Sequence, residues 1–531
     1  MKKVLALLLA LALSISMLFV SAAAEEAPYV INMYNTLGGP KYGNDQLQHQ
    51  WLLDNLNLDV QGEWPSGTDP AIRLSTMAAT GEMPDVVATG VSNRLLLQEM
   101  VDAGMLQPLD DYLAQMPDYR SYVTDAVLDY WRDANDGKLY MLPGFVVDPN
   151  SQNYTNLLGD PHALGIRDDM FELTGITEVP KTFDEFYQFL KAAKEAAAAS
   201  DDPLYDNFIP YAMDWSNFHI WAINYGASPT KWKVDEENQQ MIPIYLQDGW
   251  RDAAVYFAKL YREGLLEPEQ LTMDGDDLIE KAKQGTYGVL AQHITAFNDY
   301  IKGAFAASGY DFYYTAIQFP RVEPDSYTGW FHKNSLGSSI AVFSKDIADM
   351  DKVISYTNWQ NTRVGNCITW WGAPDREDSW FYLTDDGQDI VYNKEFYDAM
   401  FAGEKTTDAC APWTYWIAGP GVNDICQLNT SVIDSPGFDD FFAGMRECGY
   451  KDVHFDPAYD AFEIQPKGDV YNSMWTDIKY TADSYLADII MRTASDEEAI
   501  AKYDEMVAEM KAIGVDELMT ECYQVYLEAN A

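Results

Sequence analysis

The stretch from Gly81 to Pro143 restricts the fold more tightly than any other part of the chain. Ahead of it, Thr68-Asp69-Pro70 supplies a capping residue and a proline suited to a first helical turn, and Gly81 can close that helix in the left-handed conformation. Asp85 to Thr89 then reads as a short buried strand. Ser92 or Asn93 caps a second helix, with Leu97, Met100 and Val101 on one apolar face and Gly104 at its end. Helix, strand, loop and helix in that order build an α/β sheet whose strand ends open at Thr89 to Asn93.

Two further runs follow: Gly104-Met105-Leu106-Gln107-Pro108-Leu109-Asp110-Asp111-Tyr112 and Asp136-Gly137-Lys138-Leu139-Tyr140-Met141-Leu142-Pro143. Taken in order with Gly81-Glu82-Met83-Pro84-Asp85, they resemble the first lobe of the family 1 extracellular solute-binding proteins of ABC transporters. The similarity is greatest to the large Gram-positive members that carry aldouronates or oligosaccharides. Ile166-Arg167-Asp168-Asp169, Pro180-Lys181-Thr182-Phe183-Asp184-Glu185-Phe186 and Glu263-Gly264-Leu265-Leu266-Glu267-Pro268 extend the resemblance over most of the chain. It implies an α/β, two-lobed, periplasmic-binding-protein-like fold of type II, with discontinuous lobes joined by a multi-strand hinge. It also implies membrane permease subunits as partners.

Lys2 and Lys3 precede an apolar run from Val4 to Val20, and Ser21-Ala22-Ala23-Ala24 closes it, which predicts a secretory signal peptide over residues 1–24. Relatives of this type usually carry a lipobox cysteine here and this chain does not, so the expected location is secreted or at the cell surface. A net charge of −48 would repel nucleic acid and anionic membranes, and no nucleic-acid partner is expected. The five cysteines, Cys367, Cys410, Cys426, Cys448 and Cys522, form no C-x-x-C pair and match neither a zinc site nor a redox motif. Their odd number leaves at least one free thiol, and they are expected to be mostly small buried apolar residues, with a disulfide such as Cys410–Cys426 as the alternative. Asp385-Asp386-Gly387-Gln388-Asp389 lacks the ligand spacing of an EF-hand. No phosphate loop, dinucleotide fingerprint or catalytic run of the G-x-S-x-G or H-E-x-x-H type occurs, so the expectation is no cofactor, no metal and no catalytic residue.

Tyr29 to Tyr34 reads as the first strand, with Asn35 and Thr36 at its end, beside Thr89, Ser92 and Asn93. The polar, Pro- and Gly-bearing segment from Gly144 to Ala163 reads as a crossing. Thr182 and Glu185 then form a capping box on a helix that runs to about Ala199. Tyr313 to Pro320 is expected to return to the first lobe and Gly337 to Phe343 to add a strand there. A third crossing is expected past Trp370-Trp371-Gly372, into a helical C-terminal portion with a second capping box at Ser495 and Glu498. Lobe I is thus expected to comprise 28–146 and 318–358, and lobe II 150–315 and 362–531.

Aromatic residues make up 14% of the chain, and several stand at strand or loop ends rather than in periodic core positions. Flat rings bury the C–H faces of a sugar without needing a charge, while amide and hydroxyl groups satisfy its hydroxyls. The stacking candidates are Trp215, Trp330, Trp370, Trp371, Trp413, Trp416 and Trp475, the last also placed near the cleft by similarity to the maltose-binding proteins. Asn35, Ser92, Asn93, Asn217 and His293 are the hydrogen-bonding candidates. Core packing is the competing role for each tryptophan. The expected function is capture of a carbohydrate, an oligosaccharide by resemblance, by a monomer that delivers it to permeases without turnover. A secreted glycoside hydrolase, which needs two carboxylates about 5 to 9 Å apart, is the rival reading, and a sensor subunit a third.

Overall fold

The computed structural model describes residues 27–37, 47–65, 70–133, 136–148, 150, 162–293, 296–322, 332, 334–401, 416–419, 454–465 and 467–530. In chain order the first strands are β1 (Tyr29–Asn35), β2 (Leu58–Glu63), β3 (Val86–Gly90), β4 (Leu142–Gly144), β5 (His162–Arg167) and β6 (Ile209–Met213). β7 (Trp232–Asp235) and β8 (Gln240–Pro243) make a hairpin, and β9 (Tyr287–His293), β10 (Tyr314–Ile317) and β11 (Ser339–Phe343) follow.

The first sheet has the order β2-β1-β3-β11-β4. β1, β2 and β3 are parallel, and β11 runs antiparallel to both β3 and β4. Val86, Val87 and Ala88 are fully buried at its centre, which explains their unbroken apolar run. Helices Pro70–Thr80, Arg94–Asp102 and Met350–Trp359 give Leu74, Met77, Leu97, Met100, Val353 and Ile354 to the same core. Gly81, at φ 75°, ends the first of these as its position predicts. Thr68 and Asp69 lie outside the described residues. The expected cap at Ser92 or Asn93 takes a different form. Val91–Asn93 is a 3-10 turn, and Asn93 occupies the cap position of Arg94–Asp102 without bonding to its backbone.

The second sheet has the order β10-β5-β9-β6, with β6 parallel to β9 and β5 antiparallel to β9 and β10. Helix Phe183–Ala199 opens on the expected capping box: Thr182 Oγ1 accepts from Glu185 N at 3.2 Å and Glu185 Oε2 accepts from Thr182 N at 3.0 Å. The second expected box is only half made. Ser495 Oγ accepts from Glu498 N, but the Glu498 carboxylate reaches one residue further back, to Ala494 N. The C-terminal helices Asp469–Arg492, Asp496–Ile513 and Val515–Ala529 place Ile478, Ile489, Met506, Met510 and Leu518 in the core of this sheet.

Three expectations are corrected. β10 is an edge strand of the second sheet, in register Tyr314↔Arg167, and does not itself return to the first; its Tyr314, Ala316 and Ile317 complete the second core. Residues after 362 do not all join the second body. Helix Arg363–Trp371 packs Val364, Cys367 and Ile368 with Trp380, Phe381 and Phe396 in a small separate core. That core rests against Trp51 and Trp359, the Gln48 amide donates to Ile368 O and Thr369 O, and Ile417 and Ala418 belong to the first core. An apolar helix face does not say in advance which of two cores it meets. Cys367 is disulfide-bonded rather than a buried thiol, its partner lying outside the described residues, whereas Cys522 is a buried free thiol. Among the described residues no helix is long and apolar enough to cross a membrane.

Candidate functional site

The carboxyl ends of β1 and β3 lie side by side, with Asn35 opposite Ala88. Asn35 is fully buried; its Oδ1 accepts from Leu37 N at 2.8 Å and its Nδ2 donates to Trp416 O at 3.4 Å. The Thr36 and Thr89 hydroxyls are 2.8 Å apart, and Asn93 Nδ2 donates to Thr89 Oγ1 at 2.8 Å. The missing helix cap at Asn93 is thereby explained, since its amide is turned back onto the strand end. Asn35, Thr36, Thr89 and Asn93 form one polar row, and Ser92 beside them is exposed.

The second sheet repeats this construction. β6 and β9 are parallel, with Met213 opposite Ala291, so Asp214 onward and His293 emerge at the same end. Trp215–Asn217 is again a 3-10 turn, followed by helix Phe218–Asn224, with Asn217 in the cap position and no side-chain cap bond. Val91-Ser92-Asn93 after β3 and Trp215-Ser216-Asn217 after β6 are thus the same turn, one on each sheet. Asn217 is only 5% exposed and its Nδ2 has no partner. A buried donor left in this way costs about 1–3 kcal/mol, so the position asks for an acceptor. Trp215 is half-buried, its ring 5.1 Å from Phe218 and 6.0 Å from Phe257. His293 lies opposite His162 across β5 and β9, the rings 5.3 Å apart edge to face.

The aromatic candidates divide into separate groups. Phe145, Trp370 and Trp416 form one, with centroids 4.6 Å (Phe145 to Trp416) and 5.8 Å (Trp370 to Trp416) apart. Trp416 is fully buried and Trp370 nearly so, which makes them a wall behind Asn35 rather than open stacking faces. Two backbone features serve this wall. A Cβ at Gly144 would come within 2.7 Å of the Trp416 ring, and Phe145 holds φ 52°, a strained value for an aromatic residue. Trp371 points away from Trp370, as adjacent helical residues do, and packs 5.2 Å from Trp380. Trp475 stacks on Tyr471 at 5.2 Å and lies 5.0 Å from Trp232 and 6.0 Å from Tyr245. Trp215 and Trp475 are thus linked through Phe218, Trp250 and Tyr245 on the second core, Trp371 sits apart on the small third core, and Trp330 and Trp413 lie outside the described residues.

Thr36 and Thr89 stand at the strand ends as expected, and Phe145, Trp232, Tyr245 and Tyr471 are neighbours absent from the sequence candidates. Of these, Tyr471 was open to detection, four residues before Trp475 on one helix face. Among the ion pairs, Arg73–Glu63 stands at the carboxyl end of β2, with Glu63 opposite Tyr34 on β1. Near Trp475 the Tyr245 hydroxyl is pushed up to about 12 by burial, with the Asp483 charge adding to it, and so stays a neutral donor. A cavity of about 720 Å³, lined by Thr80, Asp85, Ser344 and Lys345 among others, opens at the opposite, amino end of β3. Its Asp85 carboxylate already accepts from Asn32 N and Nδ2.

Solved structures with this arrangement exist: an extracellular solute-binding protein from Bifidobacterium longum subsp. infantis superposes with a TM-score of 0.67 at 16% identity, covering 95% of this chain and 99% of the other. Such neighbours are two-lobed type II solute-binding proteins, and this chain shares their fold. Among curated relatives, lipoprotein LipO of Bacillus subtilis is 33% identical over 257 residues, 47% of this chain and 44% of that protein. The polygalacturonan/rhamnogalacturonan-binding protein YtcQ of Bacillus subtilis is 24% identical over 247 residues, 44% of each. The chain thus spans under half the length of either in the matched stretch. The model of the bacterial extracellular solute-binding proteins matches residues 55–362, more than half of the sequence and every strand of the two sheets but β1, and the chain belongs to that family.

Proposed function

We propose that this chain is the extracellular capture subunit of an ABC importer and that it binds an uncharged or sparsely charged oligosaccharide between its two bodies. The observation that carries this reading is the paired Ser-Asn turn, one at a strand end of each sheet, with rings beside both and a partnerless buried amide on Asn217. The family supplies the context of solute capture, and one relative carries polygalacturonan/rhamnogalacturonan binding in its name. The net charge of −48 disfavours a ligand as densely anionic as polygalacturonan. Hydroxyl-rich neutral sugars match amide and threonine donors set beside indole and phenyl rings.

A ligand that touches the Asn35–Asn93 row and the Trp215–Asn217 turn together favours the closed form, because only there are both sets of contacts made. Closure then offers a joint surface to the permease subunits. The first body takes its core from 28–146, β11 and helix Met350–Trp359 and carries the 363–371 and 416–418 segments, and the second takes 162–317 with the C-terminal helices. Turnover has no place in this scheme, and the chain acts as a monomer. Calorimetric titration with xylo-, manno-, gluco- and galacturono-oligosaccharides, followed by chromatography of each sugar, tests it. Saturable binding with the sugar recovered intact is expected, and a shortened product or no binding across the panel refutes it.

A further inference from the structure

His332 lies on the connection between β10 and β11, and Asp460 and Glu463 lie on helix Pro457–Ile464. Each offers one ligand atom, and the three atoms lie within 4.8 Å of one another. His332 Nε2 is 2.6 Å from Asp460 Oδ1, Asp460 Oδ2 accepts from Ser335 N at 2.9 Å and from the Ser335 hydroxyl, and Glu463 Oε2 accepts from Asn334 Nδ2 at 2.6 Å. Asp460 is fully buried and the His332 side chain is 7% exposed. The second ring nitrogen of His332, Nδ1, is buried without a partner.

The ring's hydrogen bond runs from Nε2 to Asp460, and a divalent cation among the three ligand atoms would take over both ends of that contact. The His454 ring, 6.0 Å away, leaves the pocket rich in imidazole. We propose that His332, Asp460 and Glu463 form a binding site for a first-row divalent cation of the zinc class, which pins the β10–β11 connection to the helix Pro457–Ile464. One nitrogen and two carboxylate oxygens suit zinc or cobalt, whereas calcium takes six to eight oxygens. Ligands held about 2.0–2.2 Å from a tetrahedral zinc stand about 3.3 Å apart. The 2.6 Å His332–Asp460 contact therefore has to open by less than about 1 Å. Exposed Glu463 leaves a route for the ion and room for a water at the fourth position.

The test uses the full chain stripped with chelator, titrated calorimetrically with zinc alone and, for the intense visible absorption of a four-coordinate site, with cobalt. One ion per chain is expected, together with a zinc-dependent rise in Tm. Glu463→Gln and His332→Gln should each weaken zinc binding at least about tenfold, the loss seen when even an outer partner of a metal ligand is removed. Asp460→Asn removes a buried hydrogen-bonded carboxylate and is open to failure in folding, so exposed Glu463 carries the comparison. Absence of stoichiometric zinc binding by the wild-type chain, or wild-type affinity in both Gln variants, overturns the site.

Discussion

Asn217→Ala separates a ligand-binding role from a structural one. The Asn217 Nδ2 donor is buried with no partner and the residue makes no cap bond, so the free protein has little to lose from its removal. A neutral hydrogen bond contributes a net of about 0.5–1.5 kcal/mol, which corresponds to a rise in Kd of about 2- to 13-fold for the bound sugar. Relief of the orphaned donor offsets the small packing loss, and the unfolding free energy should change by less than about 1 kcal/mol. Asn93→Ala is the contrast: Asn93 already donates to Thr89, so this variant should lose both affinity and about 1 kcal/mol of stability. Calorimetric titration with the tightest sugar of the panel gives the affinities, and denaturant unfolding followed by tryptophan fluorescence gives the stabilities. An Asn217→Ala protein with unchanged Kd but a stability loss above about 2 kcal/mol would mean that the amide braces the turn and meets no ligand.

Trp416→Ala should cost about 3–5 kcal/mol, because the ring is fully buried against Phe145 and Trp370; a loss below 1 kcal/mol by denaturant unfolding would show that the wall does not exist. Arg167 is fully buried, bonds both Asp169 oxygens and lies 4.1 Å over the Phe312 ring. Arg167→Ala should therefore cost about 3–5 kcal/mol and Arg167→Met less, since removing one partner of a buried pair is worse than replacing it by a packed apolar chain. Thr182→Ala should cost about 1 kcal/mol. Bonds from Lys181 N and Thr182 N hold the Glu185 carboxyl below its usual range, so the Glu185 part of the cap is complete above the unfolded carboxyl pKa and lost as pH falls through the folded one. The thermal stabilities of wild type and Glu185→Gln should accordingly converge at acid pH.

Local signals transferred well where they depend on backbone chemistry. Gly81 and Gly514 end helices in left-handed conformations, and Thr182 with Glu185 starts one, because a cap is decided within four residues. Allegiance to a core was not legible. The apolar face of Arg363–Trp371 has helical periodicity whichever body it meets, and only the approach of Trp51 and Gln48 decides it. The same limit governs the tryptophans. Neighbours in sequence, Trp370 and Trp371 join different groups because successive helical side chains point about 100° apart. Asn35 and Asn93 are readable as strand-end amides, whereas Asn217 is legible only as a polar residue in an aromatic cluster, and the duplication of the turn is not legible. Its two copies share only Ser-Asn, too short a match to distinguish from chance until both are seen to follow a parallel strand.

Helix Pro457–Ile464 decides how two such bodies can move. Its eight residues serve both cores: Ala461 and Ile464 face the first, and Tyr459 and Phe462 the second. Separation of the bodies must strip one of these faces. On the second face the Phe462 ring meets Trp232 and Tyr526, Tyr459 packs against Phe462, and Lys467 Nζ donates to Phe462 O and Gln465 O at the helix end. The first face offers one isoleucine, one alanine, the bonds from Arg94 Nη1 to Ile464 O at 2.9 Å and Gln465 Oε1 at 3.1 Å, and, beside Leu336 of the first core, the bonds from Ser335 to buried Asp460 and from Asn334 to Glu463. Exposing one isoleucine costs about 1.5–3 kcal/mol and each released hydrogen bond about 1 kcal/mol. Both faces are therefore costly to strip, and the helix ties the two bodies together. A gap of a few kcal/mol between two forms leaves the minor one at about 0.1–10%, within the range that the differential affinity of a bound sugar can tip.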